Sequence, residues 1–221
     1  EERPTSEQLA VLERVAERVL LEFRLEKEGL ALPKNDPQRI EAERPLLGFI
    51  HGSPGTGKSR VIKWITRLFS EALQWTHEDE YLCVAFQNKV AHAMEGNTLH
   101  VGGDIAVGGD RSLQHTDVDV LFTRNQYLRW VIIDELPMVP DDLLGEFASN
   151  LTGAASPSRY LKKTDGSQRL FGGYNVLAFG DFYQIPPIPS SASLALPPIQ
   201  KKTEKAKSAL ELMWGDGEDS L

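Results

Sequence analysis

Short apolar runs alternate with longer amphipathic or polar stretches along this chain, and their spacing predicts its elements. Between residues 5 and 25, Leu12, Val15, Val19 and Phe23 recur at helical intervals. Ahead of them Thr5-Ser6-Glu7-Gln8 fits a capping box, in which the first and fourth residues exchange side-chain and backbone hydrogen bonds. Residues 31–45 are polar and proline-bearing and read as a loop. Four short, almost wholly apolar runs then read as strands: LLGFI (46–50), YLCVAF (81–86), WVIID (130–134) and NVLAFGD (175–181). Helical patterns lie between and after them, from Lys58 to Leu73, from residue 87 into the glycine-rich VGGDIAVGGD, over 141–150 and over 203–214. QIPPIPSSASLALPPI, from Gln184, reads as a proline-rich loop, and no internal repeat is present.

Strands without polar alternation are buried on both faces. Interleaved with helices, they predict an α/β fold, a parallel β-sheet with helices on both faces. Such a sheet binds its ligand beyond the carboxyl ends of the strands. That draws attention to the polar residues that follow strands: Lys58, Gln87, Asp134 and Gln184.

The first of these ends a phosphate-loop spacing, G-x-x-x-x-G-K-S, running through Gly52, Ser53, Pro54, Gly55, Thr56, Gly57, Lys58 and Ser59. Glycines let the backbone curl with its N–H groups pointing inward, a cradle for phosphate oxygens. The helix that follows adds the positive end of its dipole. Lys58 can reach the β- and γ-phosphates of ATP, and the Ser59 hydroxyl can bind Mg2+. A glycine turn capping a helix is the plainer reading, but the apolar strand before the loop and the helix after it favour the cradle.

WVIIDE supplies the partner. Asp134 ends an apolar strand and can orient the Mg2+ shell, and Glu135 is the candidate general base for the attacking water. The last strand ends in Gly180-Asp181 and places Gln184 near the same edge, where a neutral amide can sense a γ-phosphate without cancelling the metal's charge. Taken alone, each of these is an ordinary strand exit; in this order behind a phosphate loop they form a set.

GSPGTGKS, VIIDELPMV and FGG-YNVLAFGDFYQIPPIP, in this order, resemble motifs I, II and III of superfamily one DNA helicases, closest to the PIF and RecD-like branch with its fungal and Helitron-type members. FGG (171–173) is a rather specific mark of that branch. The resemblance implies a RecA-like P-loop NTPase that uses ATP and Mg2+, with Lys58, Glu135 and Gln184 catalytic and Ser59 and Asp134 at the metal. It also implies 5'-to-3' stepping on single-stranded DNA, and a nuclear or mitochondrial setting in DNA repair, recombination or telomere maintenance. PTSEQLAVLERV resembles the family's Q motif and would make Gln8 an adenine reader beside its capping role. VAFQNKVAHAMEGNTLH (84–100) resembles motif Ia on the DNA path. It departs from the family's Thr-Gly pair at Gln87-Asn88, while Thr98-Leu99-His100 fits; His100 also reads as a helix-end or core histidine.

The likeness divides the chain into an N-terminal helix and loop (1–45), an ATPase core (46–200) and a C-terminal helical segment (201–221) leading toward a second RecA-like domain, whose motifs IV to VI the chain does not contain. A lone first domain is expected to bind ATP-Mg2+, turn it over slowly, grip single-stranded DNA weakly and unwind nothing. Two rivals stand beside this reading: a P-loop ATPase of another class, such as an AAA+ remodeller, and a non-catalytic, transposon-derived remnant.

Composition narrows the setting. The 221 residues are 41% hydrophobic and 25% charged, enough for one sizeable core. A formal net charge of -8 argues against a general DNA-coating surface and leaves nucleic-acid contact to local groups. No apolar run approaches the roughly 20 residues that span a bilayer, so no membrane partner is expected. No secretory signal opens the chain, which starts at Glu1 and reads as an excised or processed piece. The lone Cys83 in an apolar run fits a reducing, intracellular home.

Overall fold

Leu47–His51 (β1), Tyr81–Ala85 (β2), Asn97–Thr98 (β3), Trp130–Asp134 (β4) and Asn175–Gly180 (β5) pair side by side in one all-parallel sheet, in the order β1-β5-β4-β2-β3. This computed structural model describes residues 3–28, 43–105, 115–155, 163, 166–184, 186–187, 192–195, 203–215 and 221. Parallel strands aligned in register carry their carboxyl ends to one edge: His51 lies opposite Gly180, and Asp134 opposite Ala85.

Burial follows the strand period of two. Leu82, Val84, Val131, Ile133, Val176 and Ala178 point into one apolar cluster, which Asp141–Gly153 (α6) and Glu204–Trp214 (α7) cover. Tyr81, Cys83, Trp130, Ile132, Leu177 and Phe179 point into the other, covered by Ser6–Glu28 (α1) and Lys58–Arg67 (α2). β2, β4 and β5 are buried throughout, whereas edge strand β1 is only partly covered. The expected α/β architecture, a parallel sheet between helical layers, is therefore present.

Several boundaries differ from expectation. The first strand is shifted by one residue, to 47–51. The helix expected to run to Leu73 leaves α geometry after Arg67 and closes with a π turn over Leu68–Ala72, which sets Phe69 against Trp75, Tyr81 and Trp130 at 5.1–5.4 Å between ring centres. Within motif Ia the chain forms Asn88–Ala93 (α3), then β3, then the single turn Leu99–Gly102 (α4). The two-residue strand β3 is too short for any pattern to announce. His115–Asn125 (α5) also escapes the periodicity, because its apolar residues bunch together and Val120 and Phe122 remain exposed. VGGDIAVGGD lies outside the described residues from 106 on, as do most of the 31–45 loop and most of the proline-rich segment.

The segment before β5 has its own logic. Phe171, Gly172 and Gly173 all take left-handed φ, at 52°, 62° and 75°. A fully buried phenylalanine in that region is strained and is held there by packing against Phe147. At the amino end of the sheet, Asn175 ties α1 down. Its carbonyl accepts from Arg18 and from the Leu46 N–H, at 3.0 and 2.8 Å, and its amide donates to Glu22.

Candidate active site at the carboxyl edge of the sheet

The loop Gly52–Gly57 leaves β1 while still bonded to β5, the Gly52 N–H donating to the Gly180 carbonyl at 3.1 Å. Thr56 then folds back, its N–H and hydroxyl both donating to the Ser53 carbonyl, at 3.3 and 2.8 Å. Gly55 and Gly57 take φ of 83° and 87°, a backbone that side chains resist, and a Cβ on Gly57 would collide with the Gln8 amide. Gly57 is the N-cap of α2; no side chain caps that helix and its first turn holds no acidic residue. An uncapped, ten-residue helix aimed into a glycine-rich curl has the form of an anion receptor. Lys58 stands at its mouth, its Nζ donating to the carbonyls of Gly52 and, at 3.4 Å, Ser53.

Gln8 forms the capping box as expected. The Thr5 N–H donates to its Oε1 at 3.0 Å and its own N–H donates to the Thr5 hydroxyl at 3.3 Å. Its Nε2 then donates to the Thr56 carbonyl at 3.0 Å, joining α1 to the phosphate loop. Both amide ends are thus engaged within the protein, and reading an adenine would require exchanging at least one of these bonds.

Asp134 ends β4 and is 6% exposed. Burial pushes its carboxyl up to about 6, helped by the neighbouring Glu135 charge and opposed by the Glu135 N–H, at 2.9 Å, and by Lys58. The rise is first a cost of burial, which the Lys58 charge offsets only in part. Glu135 takes a left-handed backbone, φ 52° and ψ 41°, uncommon for a residue with a side chain. Its Oε2 is buried and, among the described residues, accepts no hydrogen bond. Strain and an unpaired buried oxygen on one residue point to a site rather than a scaffold.

Because β5 is inserted between β1 and β4, its own end stands in the gap between the loop and the acidic pair. Asp181, 2% exposed, accepts from the Tyr183 N–H at 2.9 Å and pairs with the His51 Nε2 at 3.2 Å. The Gln184 N–H donates to the Asp181 carbonyl at 3.2 Å, and Gln184 lines a 150 Å3 cavity with Pro137, Phe182, Pro186, Ser193 and Ala195. That cavity brings it beside the turn that follows Glu135. Beyond β2, the Gln87 amide reaches the Met138 Sδ at 3.7 Å, and His100 lies 6.5 Å from the Phe86 ring. All the residues singled out from the sequence for phosphate, metal and base roles therefore sit at one edge of the sheet.

His51 and Asp181 were not singled out in that way. Each stands next to a recognised motif residue, but their pairing depends on the β1–β5 register, which the sequence does not announce. Among the described residues, no cluster of three or more His, Cys, Asp or Glu could hold a metal by itself, and no helix is long and apolar enough to cross a membrane.

Comparison with known proteins agrees with this geometry. The sequence profile of a family described as an AAA domain matches residues 39–189. The ATP-dependent DNA helicase RRM3 of Saccharomyces cerevisiae is 30% identical over 145 residues, which is 63% of this chain and 18% of that protein. The ATP-dependent DNA helicase Pif1 of Bdellovibrio bacteriovorus is 31% identical over 144 residues, 63% of this chain and 29% of that one. The chain thus spans under a third of the length of these relatives. Two solved folds are similar: the Pif1 helicase from Candida albicans (TM-score 0.56, 23% identity, 85% of this chain and 34% of that one) and the Pif1 helicase from Bacteroides in complex with ADP-AlF3 and single-stranded DNA (0.52, 18%, 96% and 37%). With most of its length matched by the family profile, this chain belongs to the AAA domain family, and its fold is that of the solved Pif1 helicase cores it resembles.

Proposed function

We propose that this chain is the motor domain with which a PIF1-like DNA helicase binds and hydrolyses ATP, coupled to movement on single-stranded DNA. The observation that carries the reading is the meeting of the Lys58 loop with the strained Asp134-Glu135 pair across the end of β5. The loop N–H groups and the α2 dipole bind the phosphates. Lys58, held by two loop carbonyls, would exchange them for phosphate oxygens. Gln184, tethered to Asp181, reads the γ-phosphate. Glu135, with its Oε2 buried and unpaired among the described residues, takes the proton of the attacking water.

The residues fit a magnesium ion. Asp134, a buried carboxylate ending β4, and Ser59, a hydroxyl at the α2 N-terminus, would hold it together with phosphate oxygens and water. Bound there, Mg2+ would neutralise charge developing on the transferred phosphoryl group. Gln8 holds the loop from outside and, as an adenine reader, would exchange one of its bonds for the base.

The DNA strand would cross the same edge past Gln87 and His100. Gln87-Asn88 replaces the family's Thr-Gly pair, so those contacts differ in kind from the relatives'. Closing on the strand requires a second RecA-like domain, which also brings arginines worth about 10³ to 10⁵ in rate in related phosphoryl-transfer systems. Residues 1–221 alone are expected to grip DNA weakly and turn ATP over slowly. The setting is intracellular DNA metabolism, nuclear or mitochondrial, with repair, recombination and telomere maintenance as its branches.

Single-turnover hydrolysis of ATP-Mg2+ by residues 1–221, with and without an oligo-dT strand, tests the reading. Hydrolysis should be slow, rise with DNA, and fall about a hundredfold in Glu135→Gln while nucleotide affinity persists. Unchanged hydrolysis in that variant would remove Glu135 as the base, and indifference to DNA would remove the helicase assignment.

A further inference from the structure

His51 lies one residue before the phosphate loop, and it reaches across β5 to a carboxylate that the mechanism above leaves without a role. The Asp181 side chain is 3% exposed, and its Oδ1 meets the His51 Nε2 at 3.2 Å and the Tyr183 N–H at 2.9 Å. His51, its own side chain 41% exposed, brings its imidazole to ion-pair distance of that buried oxygen, whose hydrogen bond comes from the Tyr183 N–H. The Tyr183 ring stands edge-on over the imidazole, 5.6 Å between centres at 79°, although Tyr183 itself is 89% exposed. On the backbone, the Gln184 N–H bonds to the Asp181 carbonyl at 3.2 Å, while β1 and β5 are joined at His51 and Gly180.

A contact path follows from these distances. His51 fixes the Asp181 carboxylate, Asp181 fixes the turn 181–184 with both its side chain and its carbonyl, and the turn carries Gln184. The other end of the path is the phosphate loop itself, since Gly52 follows His51 directly. A buried carboxylate stays in place only while its donors do. Without the imidazole, Asp181 keeps its Tyr183 N–H bond, and the turn loses its side-chain ion-pair contact with β1.

We propose that His51 is a positioning residue which registers the Asp181–Gln184 turn against the phosphate cradle, so that discrimination between nucleoside triphosphate and diphosphate depends on the His51–Asp181 contact. This inference rests on Gln184 reading the γ-phosphate. His51 does not touch the nucleotide in this scheme; it acts through Asp181.

The test is calorimetric titration of residues 1–221 with Mg2+-AMP-PNP and with Mg2+-ADP, read as the ratio of the two affinities. Gln184→Ala should lower the ratio toward one, which checks the parent reading separately. His51→Ala should lower it about threefold, the scale of a lost, partly exposed ion pair, and leave ADP affinity near that of the unaltered chain. His51→Gln, whose amide nitrogen reaches about as far as the imidazole Nε2, should restore the ratio. His51→Asn, with a shorter reach, should not, and it replaces the alanine variant if that one fails to fold. A ratio lowered by Gln184→Ala but untouched by His51→Ala and His51→Asn overturns the inference alone. Equal losses for both nucleotides also overturn it, because a merely structural role would give that result. A ratio unchanged in Gln184→Ala overturns the parent reading and this inference together.

Discussion

The side-chain amide of Gln8 donates to the main-chain carbonyl of Thr56 at 3.0 Å, so the first turn of α1 holds the phosphate loop from outside. The same side chain closes the capping box with Thr5. Gln8→Ala removes both bonds. It should destabilise the chain by about 1 kcal/mol, the usual cost of a lost cap, and weaken ATP-Mg2+ binding as well. Gln8→Glu keeps an acceptor for the Thr5 N–H but turns a second acceptor toward the Thr56 carbonyl. It should keep more of the stability than the alanine variant and still lose affinity. Chemical denaturation and calorimetric titration of the two variants separate the effects, and equal affinity in both variants and the unaltered chain would contradict the latch.

Asp134 makes the fold pH-dependent in a definite direction. Its carboxyl is raised from 3.8 to about 6, so the folded chain holds a proton that the unfolded chain has released between those values. Ionising it in the buried site costs stability. The cost is absent below about pH 4, grows as pH rises toward 6, and is full above it, at up to about 3 kcal/mol for a shift of about two pH units. Asp134→Asn keeps an acceptor for the Glu135 N–H and removes the charge. In magnesium-free buffer it should melt higher than the unaltered chain at pH 7.5, and the gap should close by pH 4. A gap that persists at pH 4, or has the opposite sign at pH 7.5, would show that the charge is compensated in the fold.

The turn into β5 predicts intolerance at Gly172. Its φ is 62°, and a Cβ there would stand 2.6 Å from the Ala155 Cβ and 3.0 Å from the Leu151 carbonyl oxygen. Gly172→Ala should destabilise by about 2–4 kcal/mol, combining backbone strain with overpacking. Urea unfolding measures this, and a loss below about 0.5 kcal/mol, the range of a neutral surface change, would mean the turn relaxes freely.

The sheet and the site were legible in the sequence to different degrees. WVIID was readable to the residue, because a strand buried on both faces shows as an unbroken apolar run. The tight curl of Gly52–Gly57 was readable because its glycines meet a backbone requirement, φ near 85° at Gly55 and Gly57, that few other residues satisfy. α5 was not, since its apolar residues do not form a stripe, and β3 is too short to carry a pattern. FGG stood out as a family mark, but its physical meaning, three successive left-handed residues with a buried ring among them, needed coordinates. The His51–Asp181 pair is a product of strand order. Two residues 130 positions apart meet because β5 lies next to β1, and nothing local in either segment says so.

The central claim is that Gly52–Ser59 is a working phosphate cradle with Lys58 as its main positive side chain. Calorimetric titration of residues 1–221 with ATP-Mg2+, comparing the unaltered chain with Lys58→Ala, tests it most directly. The account predicts that the variant stays folded and binds more than tenfold more weakly, the scale of a lost charge-assisted hydrogen bond. Equal affinity in a folded Lys58→Ala chain would contradict it.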